Sequence, residues 1–267
     1  MKHIKFDYIQ KVVNHNMPVL LLSEAGTGKS TLCMQIAKDL NLKFNAISLT
    51  KQTSVNALLG FISINGTYIP SQLRNTYEEG GIFLLDELDA ADANDLLSLN
   101  TIENGYIAFP DGIVHAHKDF RLVATANPQD NHSIYTGRSK LDFSTMNRFY
   151  KIHLDRDPKL EENLTSAETA GEVNAVRSFL ASQGSSTLVT MRDTIRIHKL
   201  KELGLDDDPV AEVVFEADRA LAIIYQSSKV ELLKEAEAKR KREEEDKLTQ
   251  HDTENYQDFL KKVNKGL

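Results

Sequence analysis

The hydrophobic residues in the first half of the chain alternate between short continuous runs and segments with helical spacing. Short apolar runs bounded by turn-forming residues are typical of buried strands in a parallel sheet. Because helix-forming sequence separates the runs, we expect an α/β fold with a doubly wound parallel sheet. The predicted strands are Val19–Leu22, Phe44–Leu49, Ile82–Leu85, Phe120–Ala124 and Tyr150–Leu154.

Helices are predicted where apolar residues recur three or four positions apart. Thr31–Leu40, after the first strand, and Asn94–Glu103, after the third strand, have this spacing. A further helix at the start of the chain is expected to bury one face, made of Ile4, Tyr8, Ile9, Val12 and Val13. These helices would cover the faces of the sheet.

Two β-hairpins are predicted to interrupt this alternation. In Phe61–Ile69, strand-forming residues flank Asn65-Gly66, which suits a type I′ turn because both central residues of that turn need positive φ. The second hairpin joins Tyr106–Phe109 to Ile113–His117 through Pro110-Asp111-Gly112. Neither hairpin has the length of a sheet strand, so both are expected to project from the core.

The strand pattern ends near Asp157-Pro158, and helical spacing continues beyond it. We therefore predict an α/β core over residues 1–157, a small helical domain over 158–228 and a charged helical extension over 229–267. The apolar stripe of the helical domain is expected to contain Val210, Val213, Val214, Ala217, Leu221 and Ile224.

The charged extension carries seven positive and seven negative residues over Lys229–Lys247, so that stretch has no net charge. The spacing favours a solvated helix with ion pairs three or four residues apart. Nucleic-acid binding by Lys239–Arg242 is the alternative, but the four acidic residues that follow cancel most of its field. Amphipathic spacing resumes over Asp252–Val263.

Composition narrows the classes of partner. The formal net charge is −7, from 32 Lys and Arg against 39 Asp and Glu, which does not favour nucleic acid, although a local basic groove stays an alternative. Cys33 is the only cysteine, so a disulfide within the chain is excluded and a reducing cytoplasm is expected. No run approaches the roughly 18 to 20 apolar residues of a membrane span, so we expect no membrane association.

A glycine-containing loop follows the first strand, with the sequence Ser23-Glu24-Ala25-Gly26-Thr27-Gly28-Lys29-Ser30. A loop of this kind that leads into a helix presents backbone N–H groups and the helix dipole to a phosphate chain. Lys29 would contact the β- and γ-phosphates of a nucleotide, and the Ser30 hydroxyl would bind Mg²⁺. The general pattern is G-x-x-x-x-G-K-[ST], and Ser23 replaces its first glycine. The predicted phosphate-binding residues are Glu24, Ala25, Gly26, Thr27, Gly28, Lys29, Ser30 and Thr31.

Polar residues follow the third and fourth predicted strands. Asp86 is a candidate Mg²⁺ ligand, and Glu87 beside it is a candidate base for the attacking water. Asn127 follows the fourth strand, where an amide at the carboxyl edge of the sheet could hold the water or the γ-phosphate. A turn-forming Asn127-Pro128 without a catalytic role is the alternative.

These segments together resemble an AAA+ ATPase of the dynein-related, MoxR-like group, which includes the cobaltochelatase ATPase subunit and small phage-encoded proteins. The resemblance covers roughly residues 15–200 and is sharpest from Gly80 to Gly105. It implies a P-loop core with a helical lid domain. The segments that carry it are Ser23–Ser30, Ile82–Glu87, Ala124–Asn127 and Asn147-Arg148-Phe149.

The resemblance also implies roles for single residues. Asn127 would be sensor 1, and Arg148 would be the arginine finger that acts on the nucleotide of a neighbouring subunit, although Asn147 stands where relatives often have Asp. Arg138 is a second candidate for such a contact, and Arg192 would be sensor 2. For Arg148 and Arg138 an ordinary surface ion pair is the alternative. The hairpins would face the pore of a ring, where the candidate contact residues are Phe61, Ile62, Tyr68 and His115.

By the same resemblance the protein would hydrolyse ATP, with Mg²⁺, to ADP and phosphate in a homo-oligomeric, hexameric ring that remodels or loads a protein partner. The partner would be a protein client or adaptor, and relatives often act with a separate von Willebrand A-type protein. A nucleic-acid motor or helicase-loader ATPase is the alternative. A further alternative is a nucleotide-gated assembly switch in which the segment Asp252–Val263 docks a partner.

Overall fold

The computed structural model describes residues 1–99, 101–128, 143–204, 208–215, 221–235, 238 and 241–242. The chain divides into two compact units, Met1–Leu160 and Glu161–Leu267. The predicted domain boundary, Asp157-Pro158, lies at the start of a helix that spans Pro158–Leu164. Each unit contains a hydrophobic core of its own.

The first unit is built on a parallel sheet. Its strands are β1 (Val19–Leu22), β2 (Phe44–Ser48), β5 (Gly81–Asp86), β8 (Phe120–Ala126) and β9 (Tyr150–His153). Their order is β2-β5-β8-β1-β9, and every neighbouring pair is parallel. The α/β fold with a parallel sheet is thus confirmed. Each predicted strand is present, and no end differs from its predicted position by more than two residues.

Helices pack on both faces of this sheet. They are α1 (Phe6–Asn14), α2 (Lys29–Asp39), α3 (Val55–Leu59), α4 (Gln72–Glu79), α5 (Ala93–Leu96) and α6 (Phe143–Asn147). Because side chains of a strand alternate between faces, Val19 and Leu21 of β1 join the core beneath α1 and α2. Leu20 and Leu22 join the opposite core, beneath α3 and α4.

Two of the predicted helices differ in detail. Helix α1 buries Phe6, Ile9 and Val13, whereas Ile4 and Tyr8 are exposed, so the predicted face was right for Ile9 and Val13 and wrong for Ile4 and Tyr8. The buried residues follow the i, i+3, i+7 spacing of one helical face, which excludes both exposed residues.

The predicted helix Asn94–Glu103 is instead α5 followed by two 3₁₀ turns, Leu97–Leu99 and Ile102–Asn104. Its buried residues are Leu96, Leu99 and Ile102. Their spacing of three residues matches the 3₁₀ repeat better than the α-helical one, which accounts for the difference.

Both predicted hairpins are present. The first pairs β3 (Phe61–Ile62) with β4 (Tyr68–Ile69), and the second pairs β6 (Tyr106–Phe109) with β7 (Gly112–His115). The predicted type I′ turn of the first hairpin was wrong, because only Gly66 has positive φ there. The Gly66 N–H donates to the Ser63 carbonyl, so a turn centred on Ile64-Asn65 precedes a left-handed glycine.

Arg74 of α4 contacts both hairpins. Its Nη1 donates to Asp111 Oδ1 in the loop between β6 and β7 (2.6 Å), and its Nη2 donates to Glu78 Oε1 (3.0 Å). The guanidinium carbon lies 4.6 Å from the ring centre of Phe109 in β6 and 5.2 Å from that of Tyr68 in β4. One buried cation therefore holds the two hairpins against the same helix.

The second unit is helical in its described residues. Helices α7 (Pro158–Leu164), α8 (Ala167–Ser182), α9 (Met191–Leu203) and α10 (Pro209–Phe215) precede a helix over residues 221–235. The predicted apolar stripe is partly wrong: Val210 is buried, but Ile224 is exposed and Tyr225 is buried in its place. Ala217 and Asp252–Val263 lie outside the described residues.

A buried ion pair joins three helices of this unit. Arg177 of α8 donates twice to the Glu161 carboxylate of α7, at 2.6 and 3.1 Å, and Thr194 of α9 donates to the same carboxylate. None of the described helices of either unit is long and apolar enough to cross a membrane.

We predict that Arg74→Met lowers the free energy of unfolding by about 2 kcal/mol, because two carboxylates lose a partner and two rings lose a cation–π contact. Denaturant unfolding followed by circular dichroism measures this. Lys43→Met is the matched control, since it removes a cation from the solvent-exposed pair with Glu79. The control should change stability little. Equal effects of the two substitutions would contradict a special role for Arg74.

Candidate nucleotide-binding site

The glycine-containing loop connects β1 to α2 at the carboxyl edge of the sheet. Gly26 and Gly28 have φ values of 76° and 85°, which side chains other than glycine adopt only at a cost. The Ser23 N–H donates to the carbonyl of Ala126, the last residue of β8, at 3.2 Å. The loop is therefore fixed to the strand beside β1.

Ser23, the residue that departs from the general pattern, is buried and closes the loop from inside. Its hydroxyl is hydrogen-bonded to the Thr27 hydroxyl, and Thr27 Oγ1 also donates to the Glu24 carbonyl at 3.1 Å. The serine thus supplies a contact that glycine could not make. Its presence is compatible with the loop conformation that the motif requires.

Lys29 is the first residue of α2, and its ammonium group is directed back over the loop. Nζ donates to the carbonyls of Ser23 (2.7 Å) and Glu24 (3.0 Å), and lies 3.4 Å from Asn127 Oδ1. The next residue, Ser30, donates to Asp86 Oδ2 at 2.8 Å. The residues that the sequence predicted from three separate motifs are therefore neighbours.

The two acidic residues at the end of β5 are held by Thr125, which the sequence pattern did not identify. The Thr125 hydroxyl donates to Asp86 Oδ1, and it accepts the backbone N–H of Glu87 at 3.0 Å. Glu87 has φ 60° and ψ 48°, the left-handed conformation that is uncommon for a non-glycine residue. A threonine near the end of the strand beside the acidic residues was the available signal.

Asp89 is a second residue that the pattern missed. It is buried, with 1% of its surface exposed, and its Oδ2 lies 3.4 Å from Nδ2 of Asn127, which is buried as well. The amide of Asn127 thus lies between Asp89 on one side and Lys29 on the other. This placement agrees with a polar role for Asn127 better than with a simple turn.

Arg148 lies at the other edge of the sheet. Tyr150 pairs with Val19, the first residue of β1, whereas the loop begins after Leu22, the last one. At about 3.3 Å per strand residue the sheet separates Arg148 from Lys29 of the same chain by roughly 10 Å or more. Arg148 also borders an apolar cavity of about 20 Å³, together with Pro18, Leu85, Leu88, Leu96, Leu99, Ile102, Leu122, Thr145 and Phe149.

The sequence also predicts roles for two further arginines, Arg138 and Arg192. Arg138 lies outside the described residues. Arg192 is the second residue of α9 in the second unit, after a capping box formed by Thr190 and Asp193. Their roles stay predictions.

Cys33 lies in α2 behind the loop. It is buried, and this burial raises the pKa of its thiol far above the usual range. A protonated, buried thiol is unreactive, so the residue contributes to packing beneath the loop and not to the chemistry at its surface.

Comparison with known proteins finds similarity over the range that contains this site. The family described as "AAA domain (dynein-related subfamily)" matches residues 18–149, a range that contains the loop, both acidic residues, Asn127 and Arg148. Midasin of Giardia intestinalis is 31% identical over 154 residues, which are 55% of this chain and 3% of that protein. The denitrification regulatory protein NirQ of Pseudomonas aeruginosa is 25% identical over 158 residues, or 57% of this chain and 59% of that one. The chain therefore spans less than two thirds of either relative.

Among solved structures, NtrX from Brucella abortus in complex with ADP aligns with a TM-score of 0.54 at 16% identity, over 78% of this chain and 51% of that chain. At this identity the alignment supports the fold alone.

We predict that Glu87→Gly is more stable than Glu87→Ala by about 1 kcal/mol, because alanine keeps the cost of the left-handed backbone and glycine does not. Neither variant has the carboxylate, so the difference isolates the backbone. Thermal unfolding of both measures it.

Met34 is the control position for this comparison, since it is exposed in the middle of α2. There the order should reverse, with Met34→Ala more stable than Met34→Gly by about 1 kcal/mol. The same order at both positions would show that the Glu87 backbone is not strained.

Proposed function

Because residues 18–149 belong to the dynein-related subfamily of AAA domains, we propose that the protein hydrolyses ATP in a ring of identical subunits and thereby remodels or loads a protein partner. The observation that carries the proposal is the convergence of Lys29, Ser30, Asp86, Glu87 and Asn127 at one edge of the sheet. The family match also supports ATPase activity in general.

The loop is suited to the phosphates of ATP. The N–H groups of Gly26 to Ser30 precede or open α2, where the helix dipole favours negative charge. Lys29 would exchange its contacts with the Ser23 and Glu24 carbonyls for the β- and γ-phosphates. NtrX, which has a similar fold, is known in complex with ADP, and this supports nucleotide binding in general.

Ser30 and Asp86 fit Mg²⁺, because a hydroxyl and a carboxylate oxygen already lie 2.8 Å apart and both are oxygen donors. Bound there, Mg²⁺ would neutralise charge on the β- and γ-phosphates.

Glu87 is the candidate base. Its carboxylate would accept a proton from the attacking water as the oxygen of that water bonds to the γ-phosphorus and the bond to the β-phosphate oxygen breaks. Asn127 is placed to orient the water or the γ-phosphate, because its amide lies next to Lys29. The products are ADP and phosphate.

Arg148 would complete the site of a neighbouring subunit. Its position at the amino edge of the sheet keeps it away from the nucleotide of its own chain. A permanently charged guanidinium that reaches the γ-phosphate of the next subunit would stabilise the charge of the transition state. We propose a hexamer for the ring, and Arg138 as a second candidate in this role.

A protein partner is favoured over nucleic acid. Phe61, Ile62 and Ile64 on the first hairpin are exposed apolar side chains, which suit a protein surface better than a phosphate backbone. The net charge of −7 adds no attraction for nucleic acid. An adaptor of the von Willebrand A type is the specific partner that we propose to test first.

Substitutions in the loop and at the candidate base separate nucleotide binding from hydrolysis. Lys29→Ala should lose ATP binding, whereas Glu87→Gln should bind ATP but release phosphate about 100-fold or more slowly. Fluorescent-nucleotide titration and a phosphate-release assay separate the two effects. Glu79→Gln, an exposed glutamate just before β5, is the matched control and should behave as wild type. Turnover that survives both site variants would refute the proposed ATPase site.

Mixing inactive variants tests whether Arg148 acts on the nucleotide of a neighbouring subunit. Arg148→Ala should bind ATP normally and lose turnover. Mixing it with Lys29→Ala should restore activity, because an intact loop in one subunit then meets an intact Arg148 in the next. By random mixing in a closed ring, about one quarter of the interfaces would be complete.

Arg196→Ala, at an exposed arginine of α9, is the control and should keep full turnover. If the mixture of the two inactive variants shows no recovery although mixed oligomers form, Arg148 does not act between subunits.

A further inference from the structure

We propose that Thr125 is a positioning residue that sets the geometry of both acidic residues through one hydroxyl group. The proposal rests on the proposed function, since it concerns the same site, and it assigns Thr125 no contact with the nucleotide. Its basis is that one side chain joins Asp86 and Glu87, which have different chemical tasks.

The hydroxyl has a single proton, and the structure assigns that proton to Asp86. Thr125 Oγ1 donates to Asp86 Oδ1, while Ser30 donates to the other oxygen, Oδ2. The two oxygens of the carboxylate are thereby distinguished. Because Thr125 occupies Oδ1, the oxygen on the side of Ser30 is the one left to face Mg²⁺.

The same hydroxyl oxygen accepts the backbone N–H of Glu87 at 3.0 Å. This contact matters because Glu87 has the left-handed backbone conformation, which is unfavourable for a residue with a side chain. Without an acceptor for that N–H, the backbone at Glu87 can relax toward a common conformation. The carboxylate of the candidate base would then point in another direction.

Packing makes Thr125 suitable for this task. The residue is in β8, between β5, which carries Asp86, and β1, which precedes the loop. It pairs with Leu21, and its surface is 0% exposed. A fully buried side chain with neighbours on both strands cannot change rotamer freely, so its hydroxyl is held between the two acidic residues.

The test compares substitutions that separate the hydroxyl from the shape of the side chain. Thr125→Val keeps the shape and removes the hydroxyl, whereas Thr125→Ser keeps the hydroxyl. We expect Thr125→Val to lower kcat about 100-fold, the scale of an ångström-sized misplacement of a catalytic group. The KM for ATP should change less than about threefold, because the loop and Lys29 are unaffected. Thr125→Ser should retain kcat within about threefold.

A second measurement does not depend on turnover. Amide hydrogen exchange of the segment Gly81–Asp92 should be faster in Thr125→Val than in wild type, and Thr125→Ser should resemble wild type. Thr125→Ala is the replacement if the valine variant does not fold, since it also lacks the hydroxyl. Either variant is combined with Glu87→Gln, and the loss of Thr125 should slow the residual turnover of that variant by much less than 100-fold, because only its effect on Asp86 then remains.

The outcomes distinguish this proposal from the proposed function. An unchanged kcat in Thr125→Val, equal losses in Thr125→Val and Thr125→Ser, or unchanged amide exchange would overturn the role of Thr125. Turnover that survives both Lys29→Ala and Glu87→Gln would instead refute the proposed function. Amide exchange would still decide in that case whether Thr125 holds the Glu87 backbone.

Discussion

The parallel pairing of β5 with β8 and of β8 with β1 is the constraint on which the rest of the structure depends. Parallel strands end at the same edge, so this pairing brings Asp86, Asn127 and the loop after Leu22 together from positions far apart in the sequence. The hydrogen bond from Ser23 to the end of β8 fixes the loop in that place. The parallel pairing of β9 with β1 in turn places Arg148, which precedes β9, at the opposite edge.

Polar groups at this edge are buried, which is costly unless they satisfy one another. Ser23, Asp89, Thr125 and Asn127 are all buried, and each is hydrogen-bonded within the site. An apolar core at the same place would be simpler to stabilise. Such a network, together with a strained Glu87, is where a protein is expected to give up stability for function.

Much of the fold and the main site residues could be predicted from the sequence, because they depend on local patterns. Val19–Leu22 is recognisable as a buried strand, and Lys29 as a candidate phosphate ligand, from their immediate neighbours. Thr125 could not be assigned in this way, because its role depends on which strand lies beside β8 and on the register of that pairing. The turn type predicted at Asn65-Gly66 was wrong for a related reason. Several turn types suit this dipeptide, and the residue pairs of the two flanking strands select among them.

The proposed function requires that ATP is bound between the loop of one subunit and Arg148 of the next. A structure of Glu87→Gln with ATP and Mg²⁺ tests this claim most directly. We expect Lys29 Nζ to contact the β- and γ-phosphates. We also expect the guanidinium of Arg148 from the adjacent subunit to reach the γ-phosphate. Nucleotide bound away from Lys29, or a γ-phosphate that no Arg148 of another subunit approaches, would contradict it.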